Sequence, residues 1–323
     1  MKKLVSLLMA ATMCASLAAC GGSSASSTAS TAASTADSSA ASSSTEAAAT
    51  SSDPVSGGEI NIPITDDPTT LQGWMVRNTN EMTVAPAIYE TLMAYDNAGT
   101  PQPYLLESFE GDPEALTYTM VVKDGITFQD GTPLDADAVK WNLDYYKENG
   151  VLTGSYFSYV DNVEVVDEKT VVVHMSSWDA LFDYGLARTC FICSPTAVEE
   201  LSPDGFNETP VGTGPFKVTK WVHGEGIYTE AYADYWQGKP YLDSVNFKIY
   251  ASTATQQAAM EVGDLDIMYL TGDAVTADSM EASGYTITNS SIPDSGHTLC
   301  FNSKADGPLT DVRVRQAIAL AVD

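Results

Sequence analysis

Basic residues are scarce in this sequence. Its 323 residues include 15 Lys and Arg against 43 Asp and Glu, a formal net charge of −28. Proteins that bind nucleic acid neutralise phosphates with a basic surface. The composition therefore excludes nucleic acid as a partner.

Long apolar runs and metal-ligand patterns are also missing. No apolar stretch reaches the roughly 20 residues that a membrane-spanning helix needs. The three His are scattered, and the C-x-x-C of Cys190 and Cys193 has no second pair to complete a zinc site. Neither G-x-S-x-G nor H-E-x-x-H occurs. We therefore predict no catalytic residue, no metal site and no cofactor, and interpret Cys190, Cys193 and Cys300 as buried thiols or one incidental disulfide.

The first twenty residues have the layout of an export signal. Lys2 and Lys3 precede an uncharged stretch at residues 4–19, which runs into the sequence LAACG at residues 17–21. Small residues before a Cys resemble the lipobox of bacterial lipoproteins, which implies that Cys20 is acylated and that residues 1–20 form the signal peptide. An ordinary signal peptide with an incidental Cys is the alternative.

Residues 21–53 have almost nothing to bury. Apart from Asp37, Glu46 and Asp53, this segment contains only Gly, Ser, Thr and Ala. Such a composition predicts disorder. We interpret the segment as a tether that holds an extracytoplasmic domain to the cell membrane, in the periplasm or on the outer face of a Gram-positive membrane.

Helix and strand signals begin near residue 54 and predict a mixed α/β fold. Asp135 is placed to cap a helix whose apolar face carries Val139, Leu143 and Tyr146. The segment GTGP at residues 212–215 lacks a phosphate-loop frame and is interpreted as a tight turn into a strand. The predicted strands lie at residues 58–64, 116–122, 126–128, 163–166, 170–175, 216–221, 245–250, 266–270 and 298–302. The predicted helices lie at residues 79–95, 135–149, 195–201, 253–262 and 311–322.

Four blocks of sequence resemble one known family. They are VKDGITFQDGTPLDADAVKWNL at residues 122–143; PVGTGPFK at 210–217 with YWQGKPYLD at 235–243; the segment 255–267, which contains GDLDI; and FNSK at 301–304 with DVRVRQAI at 311–318. Their order and spacing are similar to those of the family 5 extracellular solute-binding proteins. These proteins serve ABC importers for oligopeptides, dipeptides, nickel and some oligosaccharides.

The resemblance implies a fold and a division into domains. The fold is α/β, two-lobed and periplasmic-binding-protein-like (type II), with mixed sheets. Residues 54–250 would form the first lobe, with a β-rich subdomain at about 96–205, and residues 251–323 would begin the second lobe. Because family members are considerably longer and the last predicted helix runs to the end of the chain, we expect a C-terminally truncated chain with an incomplete second lobe.

The same resemblance implies binding without bond chemistry. We expect a monomeric, lipid-anchored substrate-binding subunit that captures peptides between two hinged lobes and delivers them to the permease subunits of an ABC importer. A nickel chelate or an oligosaccharide remains open as the solute. A sensor lipoprotein that presents its ligand to a receptor is a further alternative, and a secreted hydrolase is the least favoured.

Candidate ligand contacts come from segments that match cleft-facing parts of the family. Arg77 would face a ligand carboxylate or be a solvated surface charge, and Tyr156 would lie over the ligand or pack in the core. In peptide-binding members, the Asp that pairs with the α-amino group lies further along than residue 323. The predicted ligand-binding residues are Trp74, Arg77, Asn78, Thr79, Tyr156 and Asn302.

Overall fold

Two four-stranded sheets and seven helices organise the part of the chain that the structure, a computed structural model, describes: residues 54–152, 156–270, 272–288, 301–304 and 306–321. The predictions for Cys20, for the tether at 21–53, for Cys300 and for most of the strand at 298–302 lie outside these residues. No helix within the described ranges is long and apolar enough to cross a membrane.

The first sheet pairs β1, near the start of the described chain, with β10, which follows it by about 180 residues. Its order is β1 (Glu59–Ile64), β10 (Ser244–Ile249), β9 (Gly226–Ala231) and β8 (Phe216–Val222). The pair β1–β10 is parallel, in register from Glu59 opposite Ser244 to Ile64 opposite Ile249, and the other pairs are antiparallel. The carboxyl ends of β1 and β10 therefore meet at one edge of the sheet, where ligands of α/β proteins commonly bind.

The second sheet is wholly antiparallel and is formed by residues that lie between β1 and β8 in the sequence. Its order is β4 (Leu106–Asp112), β5 (Thr117–Val122), β7 (Thr170–Met175) and β6 (Val160–Val165). Helix α2 (Ala136–Asn149) contacts β6 and β7 of this sheet. A short pair, β2 (Met93–Tyr95) with β3 (Pro101–Pro103), stands beside it.

The predicted helix at Asp135 is confirmed. The Asp135 carboxylate accepts a hydrogen bond from the Ala138 N–H at 2.9 Å, and Val139, Leu143 and Tyr146 are buried. The remaining helices are α1 (Thr79–Ile88), α3 (Phe182–Thr189), α4 (Pro195–Glu208), α5 (Thr253–Glu261), α6 (Ala274–Ala282) and α7 (Val312–Leu320).

Three predicted elements end well short of their expected bounds or do not form. The helix expected at 79–95 ends at Ile88, because the Ile88 carbonyl bonds to Gly214 and to a side chain far along the chain. The strand expected at 126–128 is a single bridge between Thr127 and Pro133. The strand expected at 266–270 does not form, since the Asp266 side chain takes the Asn61 N–H that a strand would pair.

The buried side chain of Gln129 makes hydrogen bonds to the end of α1 and to the segment before β8. Its amide nitrogen lies 3.2, 2.9 and 2.8 Å from the carbonyl oxygens of Ile88, Gly214 and Phe216, and its amide oxygen accepts from the Gly212 N–H at 3.3 Å. The side chain is 6% exposed. One residue thus joins the end of α1 to the turn before β8, and the interpretation of residues 212–215 as a turn into a strand is confirmed.

The backbone at Ile88 and the turn at residues 212–215 lie so close together that the turn needs glycine at position 214. A Cβ atom at Gly214 would lie 2.6 Å from the carbonyl carbon of Ile88, a backbone atom that cannot move aside. Glycine is used where two stretches of backbone approach closely.

Replacing Gln129 by Ala should destabilise the fold strongly. The variant Q129A removes two amide N–H donors that three buried carbonyls share, together with the acceptor for the Gly212 N–H, and an unsatisfied buried group costs about 1–3 kcal/mol. We expect the free energy of unfolding to fall by at least about 3 kcal/mol in urea titrations. The exposed Gln102 of β3 provides the control, because Q102A should change it by less than about 0.5 kcal/mol. Equal effects of the two substitutions would contradict the role given to Gln129.

Candidate functional site

The segment between β1 and α1 is held by a buried carboxylate. Glu81, 1% exposed, accepts hydrogen bonds from the N–H groups of Arg77 at 2.7 Å and Asn78 at 3.2 Å, and from the Thr69 hydroxyl at 2.6 Å. In return the Asn78 side chain accepts from the Glu81 N–H at 3.0 Å. This reciprocal capping box fixes where α1 begins, at Thr79.

Arg77 and Thr79 are exposed at this helix start. The Arg77 guanidinium donates to the Thr69 hydroxyl at 3.2 Å, and the Thr79 carbonyl accepts from the Thr83 hydroxyl at 2.8 Å. The Asn78 side-chain oxygen is occupied by the cap. Arg77 therefore presents a cation to solvent beside the end of β1. Its contact with a ligand carboxylate remains a prediction.

Trp74 lies in the core. It is 4% exposed in a short 3-10 helix, and its ring packs edge-on against Tyr145 at 4.9 Å and tilted against Phe206 at 5.3 Å. In this conformation its indole offers little surface to a solute.

Tyr156 and Asn302 lie in different parts of the chain. Tyr156 is half-buried and packs closely on Gly185 of α3, where an added Cβ would lie 2.7 Å from the Tyr156 Cβ. Asn302 is exposed, and its side-chain oxygen accepts from the Lys304 N–H at 3.2 Å. The ligand roles of both residues remain predictions.

An open cavity of about 720 Å³ lies next to α1 and α3. This size falls in the range of small-molecule sites. Aromatic rings and apolar side chains make up most of its wall, with one carboxylate, Glu90, and one guanidinium, Arg188. The lining residues are Met82, Pro86, Tyr89, Glu90, Thr91, Tyr95, Tyr104, Ala187, Arg188, Phe191, Pro215 and Tyr235.

Glu90 is the carboxylate in this wall, and it is 6% exposed. It accepts hydrogen bonds from the hydroxyls of Tyr104 at 2.9 Å and Tyr235 at 2.5 Å, and from the indole N–H of Trp236 at 2.8 Å. Burial, together with the neighbouring carboxylate, raises the pKa of both tyrosines. Both phenols are therefore protonated donors at neutral pH.

Arg188 supplies the positive charge. It lies near the end of α3, is exposed, and forms no ion pair with any residue that the structure describes. Burial raises the pKa of the nearby Tyr95 phenol, and the charge of Arg188 opposes that shift. The guanidinium is free to meet an anionic group of a solute.

No motif in the sequence marks this cavity. One signal was present in the sequence. Glu90 lies in a short stretch, residues 88–92, whose other members are apolar except for Thr91. Burying a charge in such a stretch costs free energy unless the charge is paired or functional. Arg188 carried no comparable signal. A cation in the last turn of a helix is common because it is stabilised by the helix dipole.

The two described cysteines are buried free thiols. Cys190 and Cys193 are 0% exposed and unpaired, which confirms the buried-thiol alternative for these two residues. Desolvation raises the pKa of both thiols. Within the ranges that the structure covers, no group of three or more His, Cys, Asp and Glu side chains is arranged to hold a metal ion.

Residues 100–323 match the family described as bacterial extracellular solute-binding proteins, family 5 Middle. The chain belongs to this family. The match covers more than half of the chain and includes the four blocks singled out in the sequence.

Known relatives agree with this assignment. The chain is 30% identical to the glutathione-binding protein GsiB of Escherichia coli O1:K1 over 216 residues, which cover 65% of this chain and 42% of GsiB. The oligopeptide-binding protein AppA from Bacillus subtilis, in complex with a nonapeptide, superposes with a TM-score of 0.63 at 26% identity over 70% of this chain and 47% of AppA. MoaA from A. tumefaciens R10, in complex with mannopinic acid, superposes with a TM-score of 0.69 at 26% identity. The match covers 82% of this chain and 55% of MoaA.

These matches confirm the predicted fold class. The structural neighbours are type II periplasmic binding proteins with mixed α/β sheets, and the chain is partial relative to them. It spans about two fifths of the length of GsiB, given the 42% coverage. The lobe boundary at residue 250 remains a prediction.

The buried thiols should resist labelling in the native protein. In a variant with Cys14, Cys20 and Cys300 replaced by Ser, a disulfide reagent such as DTNB should label Cys190 and Cys193 only after denaturant is added, because the reactive thiolate is disfavoured by burial. The raised pKa favours the protonated thiol in the native state, so the free energy of unfolding should fall as the pH rises past about 8.5, where unfolded thiols ionise. Rapid labelling without denaturant would contradict this arrangement.

Proposed function

We propose that this chain is part of the lipid-anchored substrate-binding subunit of an ABC importer that captures peptides between two hinged lobes. Family membership carries the binding role, and the open cavity beside α1 is the observation that carries the site. The relatives are transport-associated binding proteins, which agrees with binding and not catalysis.

Peptides are the favoured solutes for two reasons. AppA is an oligopeptide-binding protein, and GsiB binds glutathione. In addition, the cavity combines rings of Tyr and Phe with a few polar groups, a wall that suits an amphipathic solute. Nickel chelates, oligosaccharides and opine-like solutes such as the mannopinic acid of MoaA are the alternatives.

Arg188 gives the cavity a preference for an anion. A guanidinium recognises a carboxylate with two parallel hydrogen bonds, and Arg188 has no ion-pair partner among the described residues. We propose that it binds a carboxylate of the peptide. Arg77, Asn78, Thr79, Tyr156 and Asn302 remain proposed contacts nearer the helix start and the second lobe.

Closure of the second lobe over the cavity would strengthen these contacts. Hinge closure around a ligand removes water, and polar interactions are stronger in the resulting low-dielectric space.

The acidic charge of the chain keeps the tethered domain away from anionic lipid headgroups. A sensor that presents the same ligand to a receptor would use the same site; loss of growth on a peptide source after deletion of the gene distinguishes uptake from sensing.

Native mass spectrometry of the complete protein from its own host tests the function. We expect a chain that begins at Cys20 with acyl groups attached, together with a peptide-sized adduct. The variant C20S should lose the acyl groups and the membrane association, whereas C14S, altered within the signal, should keep both. A protein without lipid and without any bound solute would contradict the proposal.

Arg188→Gln should weaken the binding of acidic groups selectively. With the complete protein, titration calorimetry should show about a tenfold loss of affinity for a tripeptide with a free carboxyl terminus, because a charge-assisted hydrogen bond contributes about 1.5–3 kcal/mol. The affinity for the carboxyl-amidated tripeptide should change little. Arg313→Gln is the matched control, since Arg313 is exposed, pairs with Asp311 and does not line the cavity. A uniform loss for both peptides would argue against carboxylate recognition.

A further inference from the structure

The Glu90 carboxylate is surrounded by neutral donors alone. Its three hydrogen-bond donors are two phenols and one indole, from Tyr104, Tyr235 and Trp236. Buried charges are normally paired with an opposite charge or bound to a metal. Within the described residues, Glu90 has neither.

A cation stands nearby but is engaged elsewhere. The Lys123 ammonium donates to the Tyr104 carbonyl at 2.6 Å and lies 5.3 Å from the centre of the Trp236 ring. It forms no ion pair with Glu90 in the part of the chain described here. The negative charge in the cavity wall is therefore left without a compensating partner.

The carboxylate also has acceptor capacity to spare. An ionised carboxylate offers about four lone-pair positions. Oε1 of Glu90 accepts from both phenols, whereas Oε2 accepts only from the Trp236 indole. Glu90 lines the cavity, and Oε2 is the oxygen with acceptor capacity left for a donor from a solute.

The surrounding rings favour the same kind of group. Tyr89, Tyr104 and Tyr235 line the cavity with Glu90, and aromatic faces attract ammonium and guanidinium ions. A carboxylate beside such rings holds a cation in two ways, by a charge-assisted hydrogen bond and by the ring electrostatics.

We propose that Glu90 is the subsite for a basic side chain of the bound peptide, an ammonium or guanidinium group. The inference rests on the proposed function and deepens it. With Arg188 in the same wall, the cavity carries one group for a cation and one for an anion, so it selects peptides that combine a basic side chain with a free carboxylate.

Two tripeptides that differ in one charge test the assignment. The probes are Ala-Lys-Ala and the same peptide with an Nε-acetylated lysine, titrated into the complete protein by calorimetry. The wild type should bind the lysyl peptide about tenfold more tightly, and Glu90→Gln should abolish that preference while it still binds the acetylated peptide. Equal affinities in the wild type, or a preference that survives E90Q, would overturn the inference and leave the proposed function standing. Failure of the wild type to bind any peptide, including carboxyl-terminal variants, would overturn both.

A second variant decides the matter should E90Q not fold. Tyr235→Phe removes one neutral donor but keeps the carboxylate and its charge. The freed acceptor site should increase the preference for the lysyl peptide over the acetylated one. An unchanged or smaller preference in Y235F would contradict the assignment of Glu90.

Discussion

The structure depends on the way Gln129 satisfies backbone groups inside the core. The end of α1 and the turn before β8 lie so close together that Ile88 and Gly214 have no room for water between them. Buried carbonyls without partners would cost several kcal/mol together. The two N–H groups of the Gln129 amide are shared among the carbonyls of Ile88, Gly214 and Phe216, and the Gly214 N–H also donates to Ile88, so the helix can stop where it does.

The early stop of α1 creates the cavity. Because the helix ends at Ile88, the chain turns into an extended stretch, and Glu90 is carried into the wall next to β2. Tyr104 from one side and Tyr235 with Trp236 from the other then converge on its carboxylate. Two buried polar side chains, Gln129 and Glu90, thus set the geometry on either side of the same helix end.

Local sequence patterns were sufficient for some elements and insufficient for others. Helix α2 follows from its Asp135 cap and its apolar spacing, since both signals lie within the helix itself. The end of α1 could not be predicted, because its partners Gln129 and Gly214 lie 41 and 126 residues further along. Trp74 illustrates a different limit, because the sequence pattern around an aromatic residue does not distinguish a buried ring from one that faces a solute. The cavity draws its lining from segments between Met82 and Tyr235, so no single motif encodes it, and only Glu90 left a local trace.

The parallel pairing of β1 with β10 has a consequence for how the protein is made. Residues that face each other in the two strands are 185 positions apart in the sequence, as in the pair Glu59 and Ser244. Pairings of such separation form late, because the entropy of closing the loop must be offset before the contact is gained. During synthesis β1 leaves the ribosome long before its partner exists, so the first sheet stays open while the inserted antiparallel sheet can already form. The first sheet is therefore completed only after the residues of β10 have been synthesised.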